Sequence, residues 1–168
     1  MQRTGFLTFK GKPITLVGKT LNVGEQAPNF TVIDVNLEPV SLSNFSGKNV
    51  LISVAPSLET SICAAQTRRF NEVAAALNNT VVLSISVDLP FSLNRFCTTE
   101  GIENVKALSD HRDLDFAMKY GFLAQELRLL ARGVVLIDAN NTVRYIEYVP
   151  EIAQHPDYDK ALSAAQAL

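Results

Sequence analysis

The segment Pro56-Ser57-Leu58-Glu59-Thr60-Ser61-Ile62-Cys63 brings a thiol to the junction of two different local patterns. Before it, Val50-Leu51-Ile52-Ser53-Val54 is continuous and rich in β-branched residues, as in a buried strand, and Pro56 ends the run. After it, Ser61 to Leu77 turns to helical spacing, with Cys63, Thr67, Phe70, Val73, Ala74 and Leu77 along one side. Cys63 is therefore expected in the first turn of a helix, where free backbone N–H groups and the positive end of the helix dipole favour an anion. Thiols in that position ionise more readily, and the thiolate is the nucleophile. Thr60 adds a hydroxyl three residues before the sulfur. A free cysteine is also among the most buried residue types and often serves only as a small apolar side chain. Placement in a first turn leaves both readings open.

The rest of the chain narrows the chemistry. Its 168 residues form one expected domain, 1–168, long enough to bury a core without staples. The hydrophobic fraction is 47% and the mean hydropathy +0.12, as in an ordinary compact protein. Net charge is −2, from 15 basic and 17 acidic residues, so nothing calls for nucleic acid. No apolar run approaches the roughly 20 residues of a membrane helix. The start, MQRTGFLTFKGK, lacks the apolar stretch of a secretion signal, so a cytoplasmic location is expected.

In that reducing compartment two cysteines are not expected to form a structural staple. Cys63 and Cys97 are too distant in sequence for a Cys-x-x-Cys pair, and Gln66 stands three residues after Cys63. Two cysteines with the isolated His111 and His155 do not supply the ligand set of a zinc site, so no metal is expected. No Ser-His-Asp arrangement is suggested either.

The elements that must position Cys63 follow from the pattern. Leu7–Phe9 and Ile14–Val17 flank a Gly turn as a small N-terminal hairpin, an extension over residues 1–18. Phe30–Val35 and Val40–Leu42 read as strands. Val81–Val87 is a second continuous β-branched run, and with the preceding strand and helix it makes a β-α-β unit. Phe91–Glu100 reads as a helix closed by Gly101 and carrying Cys97. Val105–Leu108 is a short strand, Leu114–Tyr120 a helix closed by Gly121, and Val134–Asp138 with Val143–Tyr148 a hairpin. Tyr158–Leu168 is a closing helix. This order predicts an α/β fold, a central mixed β-sheet flanked by helices with an added N-terminal β-hairpin.

Pro-x-x-x-Thr-x-x-Cys, here Pro56, Thr60 and Cys63, resembles the active-site signature of the peroxiredoxins. Further stretches resemble their atypical two-cysteine thiol peroxidase subfamily. These are Gly11-Lys12-Pro13, Val23 to Phe30, Pro56 to Asn71, Asp88-Leu89-Pro90-Phe91, Arg95-Phe96-Cys97, Leu108-Ser109-Asp110, Tyr120-Gly121 and Leu130 to Asp138. They run in the same order along essentially the whole chain.

The resemblance implies a thioredoxin-like fold and a thiol-dependent peroxidase acting on hydrogen peroxide and organic hydroperoxides, without a bound cofactor. It implies that Cys63 attacks the peroxide to give a sulfenic acid. Cys97 would resolve that acid as an intramolecular disulfide, and thioredoxin would reduce the disulfide. Thr60 and Arg132 are the implied partners of the sulfur, with Pro56, Thr60, Ile62 and Arg132 around the substrate and backbone N–H groups near Ile62 and Cys63 as added donors. A homodimer packed near the active-site helix is implied as well. A peroxide sensor using the same Cys63–Cys97 switch, and a module with inert thiols, are the alternatives. Two departures stand out: Glu59 replaces the subfamily's more frequent Asp, and the segment from Phe122 to Leu130 is short for the loop ahead of the arginine.

Overall fold

The computed structural model describes residues 1–168. Strand β1 (Gln2–Phe9) and strand β2 (Lys12–Val17) form the N-terminal hairpin. Next come β3 (Thr31–Ile33), β4 (Pro39–Ser41), a 3-10 turn over Leu42–Phe45 and β5 (Asn49–Val54). Helix α1 (Ser61–Ala74) leads to β6 (Thr80–Ser86), and α2 (Pro90–Glu100) to β7 (Lys106–Ser109). The chain closes with α3 (Asp115–Tyr120), β8 (Leu123–Ala124), β9 (Leu129–Leu130), β10 (Gly133–Ile137), β11 (Val143–Tyr148) and α4 (Tyr158–Gln166).

Seven strands make the central sheet in the order β11-β10-β5-β6-β7-β3-β4. β5, β6 and β7 run parallel, whereas β10, β11, β3 and β4 join antiparallel, which gives the expected mixed sheet. Alternation along the fully buried β5 sorts the core into two sides. Leu51 belongs to the cluster with Phe70 of α1, Leu93 and Phe96 of α2, and Ala161 and Leu162 of α4. Val50, Ile52 and Val54 belong to the other, with Phe116 and Tyr120 of α3 and Leu7, Ile14 and Leu16 of the hairpin. Cys63 falls in the first cluster and is fully buried. No helix is long and apolar enough to cross a membrane.

Several expected boundaries shift. β3 ends at Ile33 because the Asp34 carboxylate accepts the Asn36 and Glu38 N–H groups (2.8 and 3.0 Å) and turns the chain. Leu42 opens the 3-10 turn rather than ending a strand. Helix α1 stops at Ala74, short of Leu77, and α4 at Gln166. The hairpin is also not a free extension. It continues into a second sheet, β1-β2-β8-β9, built from the segment between Phe122 and Leu130. Strands of two residues carry too little pattern to be read from sequence.

Asp110 lies just beyond β7, only 2% exposed, and its carboxylate accepts the Phe116 and Ala117 N–H groups (3.2 and 2.8 Å) at the start of α3. Burial outweighs those hydrogen bonds and pushes its carboxyl from 3.8 to about 6. The folded chain thus holds this proton more tightly than the unfolded one. The resulting stabilisation is present at low pH and is lost as pH rises through the window from 3.8 to about 6. Denaturant unfolding across that window is expected to give a less negative slope of stability against pH in Asp110→Asn than in the wild type.

Candidate active site

Cys63 occupies the third position of α1, behind Thr60 as the N-cap residue. The backbone N–H groups of Ser61, Ile62 and Cys63 make no hydrogen bond within the chain, as the geometry of a helix start requires. They are donors left for an anion at this end of the helix.

Arg132 immediately precedes β10 and is 2% exposed. Its guanidinium donates in three directions: Nε to the Ile152 carbonyl (2.7 Å), Nη1 to Gln66 Oε1 (2.8 Å) and Nη2 to Cys63 Sγ (3.3 Å). None of these partners is a carboxylate, and no ion pair of the chain includes Arg132. A buried cation without a counter-ion is strongly unfavourable. The sulfur of Cys63 is the one atom in contact that can take a negative charge. Gly133 is needed directly after the arginine, since a Cβ there would lie 2.2 Å from the Glu147 carbonyl oxygen and 2.5 Å from Phe122.

Gln66, fully buried one turn after Cys63, holds the arginine in place. Its Nε2 donates to Ser53 Oγ (2.7 Å) and the Val54 carbonyl (3.2 Å), leaving Oε1 aimed at Arg132. Sequence reasoning used Gln66 only to exclude a second cysteine. Its signal was nevertheless present, as a polar side chain on the buried side of α1 and a serine, Ser53, within the otherwise apolar run Val50–Val54.

The turn before α1 is fixed by Asp88. Its carboxylate accepts Ser57 Oγ (2.6 Å), the Leu58 N–H (2.8 Å) and Ser86 Oγ (2.9 Å), and Ser109 Oγ bonds its carbonyl. The Ser57 carbonyl then accepts both the N–H (3.2 Å) and the hydroxyl (3.0 Å) of Thr60. Thr60 therefore lines the site, but its hydroxyl proton is directed at Ser57 and not at the sulfur. Glu59 faces outward and pairs with Arg95 of α2 (2.8 Å). Arg68 pairs with Glu100 (3.5 Å), and Arg69 lies over the Tyr158 ring at 5.9 Å.

A cavity of about 310 Å³ opens in front of Arg132. Pro56, Thr60 and Ile62 line it, together with Phe9 from the hairpin, Leu129 of β9 and Ile152. The four predicted substrate contacts thus share one space, and the second sheet supplies a wall that sequence reasoning did not foresee.

Cys63 is fully buried and does not itself line that cavity, meeting it through its bonded partner Arg132, and Cys97 is not brought to it. Cys97 sits on α2, half-buried, beside a separate groove of about 560 Å³ lined by Asn94, Ile102 and Val105. Both cysteines are free thiols. Burial pushes the Cys97 thiol up, and no cation bonds its sulfur. The two sulfurs are therefore differently equipped, and only Cys63 has a guanidinium on it.

The β5-α1-β6 unit thus carries a cysteine in the first turn of its helix, bonded to a buried arginine. The Redoxin family profile matches residues 22–162. The chain is 56% identical to the thiol peroxidase of Halalkalibacterium halodurans over 161 residues, covering 96% of this chain and 97% of that one. It is 52% identical to the thiol peroxidase of Bacillus subtilis over 162 residues, with 96% and 97% covered. Among solved structures, a peroxiredoxin-like protein from Aquifex aeolicus superposes with a TM-score of 0.90 at 37% identity, covering 99% of this chain and 98% of that one. The thiol peroxidase from Chromobacterium violaceum gives 0.84 at 25% identity, with 96% and 95% covered. This chain belongs to the thiol peroxidase family of the redoxins.

Proposed function

We propose that Cys63, Arg132 and Cys97 carry out the thiol-dependent reduction of hydroperoxides for which this family is named. The observation that carries the assignment is the Arg132 guanidinium, buried without a carboxylate and bonded to Cys63 Sγ at 3.3 Å. A guanidinium bonded to the sulfur favours negative charge there, and a thiolate is the species that attacks peroxides.

Cys63 attacks the terminal oxygen of ROOH. The S–O bond forms as the O–O bond breaks, and the RO⁻ leaving group takes a proton to become ROH or water. Arg132 and the free N–H groups of the α1 first turn are placed for the charge developing on the peroxide oxygens. The Thr60 hydroxyl, now on Ser57, rotates to the incoming oxygen. The Cys97 thiol then attacks the Cys63 sulfenic acid, water leaves, and an intramolecular disulfide remains. A dithiol reductant returns both sulfurs to the thiol state, and thioredoxin in a reducing cytoplasm fits that role.

Disulfide formation needs motion. A disulfide holds its Cα atoms within about 7 Å, whereas packed helices lie about 8–10 Å apart between axes. Cys63 belongs to α1 and Cys97 to α2, so the first turn of α1, the Cys97 turn of α2, or both unwind locally. The exposed Glu59–Arg95 pair joins these two segments and breaks in the process. Leu89 and Phe91, 53% and 67% exposed at the start of α2, support a homodimer packed on this side of the molecule.

The test is peroxide consumption driven by thioredoxin and its reductase. Many turnovers per protein chain are expected. A single oxidation followed by arrest would indicate a sensor using the same switch, and unreactive thiols would indicate a structural role.

A further inference from the structure

We propose that Lys10 makes the active-site cavity selective for hydroperoxides that also carry an anionic group, such as a carboxylate at the far end of an alkyl chain. The inference rests on the peroxidase reading above and adds a specificity-determining residue to it.

The cavity has an uneven charge distribution. Its walls include the apolar side chains of Phe9, Ile62, Leu127, Leu129 and Ile152, and no acidic residue lines it. Two cations do. Arg132 is buried and engaged with Cys63, Gln66 and the Ile152 carbonyl. Lys10 is exposed at the rim, and no ion pair of the chain includes it. Its ammonium stands 5.5 Å from the centre of the Phe9 ring, on the wall of the same cavity.

The backbone holds Lys10 at this place against its own preference. Lys10 sits at the tip of the β1-β2 hairpin with φ 51°, beside Gly11 with φ 79°. Glycine or asparagine is the usual choice in such a turn, and a lysine there is strained. Glu151 fixes the tip, accepting the Lys10 N–H (2.8 Å), the Gly11 N–H (3.1 Å) and Thr8 Oγ1 (2.6 Å). It also accepts the Ala153 N–H (3.0 Å), from the segment that pairs with the hairpin at Thr8 and also lines the cavity. These donors engage the carboxylate and hold it well below the usual range, at about 2. Glu151 therefore stays ionised with its oxygens taken by these donors, and its carboxylate makes no ion pair with the Lys10 ammonium.

A substrate meeting both ends has its hydroperoxide at Arg132, which bonds the buried Cys63 sulfur, its alkyl part against the apolar wall, and its anion at Lys10. An uncharged ester of the same chain length keeps the first two contacts and loses the third. Hydrogen peroxide reaches only the first.

The experiment compares kcat/KM for an alkyl hydroperoxide bearing a terminal carboxylate, its methyl ester and hydrogen peroxide, all below any micelle-forming concentration. Wild type, Lys10→Gln, Lys10→Glu and the remote Lys48→Gln are measured. The acid-to-ester ratio is expected to fall about 3- to 5-fold in Lys10→Gln and about tenfold in Lys10→Glu, the range of an exposed ion pair and its reversal. Lys48→Gln is expected to keep both the wild-type ratio and the wild-type hydrogen peroxide turnover. A ratio unchanged by Lys10→Glu, or an equal fall in Lys48→Gln, overturns the proposal while leaving the peroxidase reading intact. Absence of hydrogen peroxide turnover in the wild type overturns both.

Discussion

Cys63→Ser is expected to abolish peroxide turnover altogether, while Cys97→Ser completes one round of oxidation and then stops. The difference follows from the surroundings of the two sulfurs. Cys63 receives Arg132 Nη2 at 3.3 Å and sits in the helix turn whose three N–H groups are free, so its loss removes the one nucleophile these donors surround. Cys97 has no such support, and burial keeps its thiol protonated to higher pH than usual. It can serve only after Cys63 has become an electrophilic sulfenic acid. In Cys97→Ser that acid persists, and excess peroxide carries it to the irreversible sulfinic and sulfonic states. Stopped-flow consumption of peroxide, read with and without the reductant system, separates the two variants. Equal loss in both, or full turnover in either, would contradict the assignment.

Arg132→Met is expected to lower kcat/KM for hydroperoxides by about 10²–10³-fold, the usual consequence of removing one well-placed donor from a charge-developing site. Methionine retains apolar bulk in a site that is 2% exposed, but leaves Gln66 Oε1 and the Ile152 carbonyl without their donor. Some loss of stability, about 1–3 kcal/mol for the unsatisfied acceptors, is therefore expected alongside the kinetic effect. Arg132→Lys separates the two contributions. It keeps a cation, yet a single ammonium cannot reproduce the planar fork that reaches Ile152, Gln66 and Cys63 together. An activity between those of wild type and Arg132→Met is expected, measured at a temperature where all three proteins remain folded. If Arg132→Met kept wild-type kcat/KM, the buried cation would have no part in the chemistry.

The parts of the site that follow local rules were legible in the sequence. A β-branched run, a proline and an amphipathic stretch placed Cys63 in a first helical turn, and the structure puts it at the third position of α1. The Phe91–Glu100 pattern with Gly101 located α2, which gains Pro90 as its first residue and ends on Gly101 at φ 65°. Arg132 was reached by resemblance alone. Nothing local marks an arginine before a strand as facing a sulfur far away in sequence. The same limit hid Gln66, whose role depends on Ser53 and Val54 of β5 and on Arg132, just ahead of β10, meeting it. It also hid the cavity wall, because β8 and β9 are strands only through pairing with β2 and with each other. Thr60 shows a different limit. Its position was correct, but its hydroxyl orientation is set by the Ser57 carbonyl, held in turn by Asp88 from the end of another strand.

The most direct test of the account is the product formed when fully reduced protein meets one equivalent of hydroperoxide, with peptides mapped by mass spectrometry under acid quench. The account predicts loss of both thiols within each chain and one new cross-linked peptide pair, joining Cys63 to Cys97, with an equivalent of alcohol or water released. Recovery of both thiols intact, with the peroxide unconsumed, would show that the sulfur beneath Arg132 is not a nucleophile.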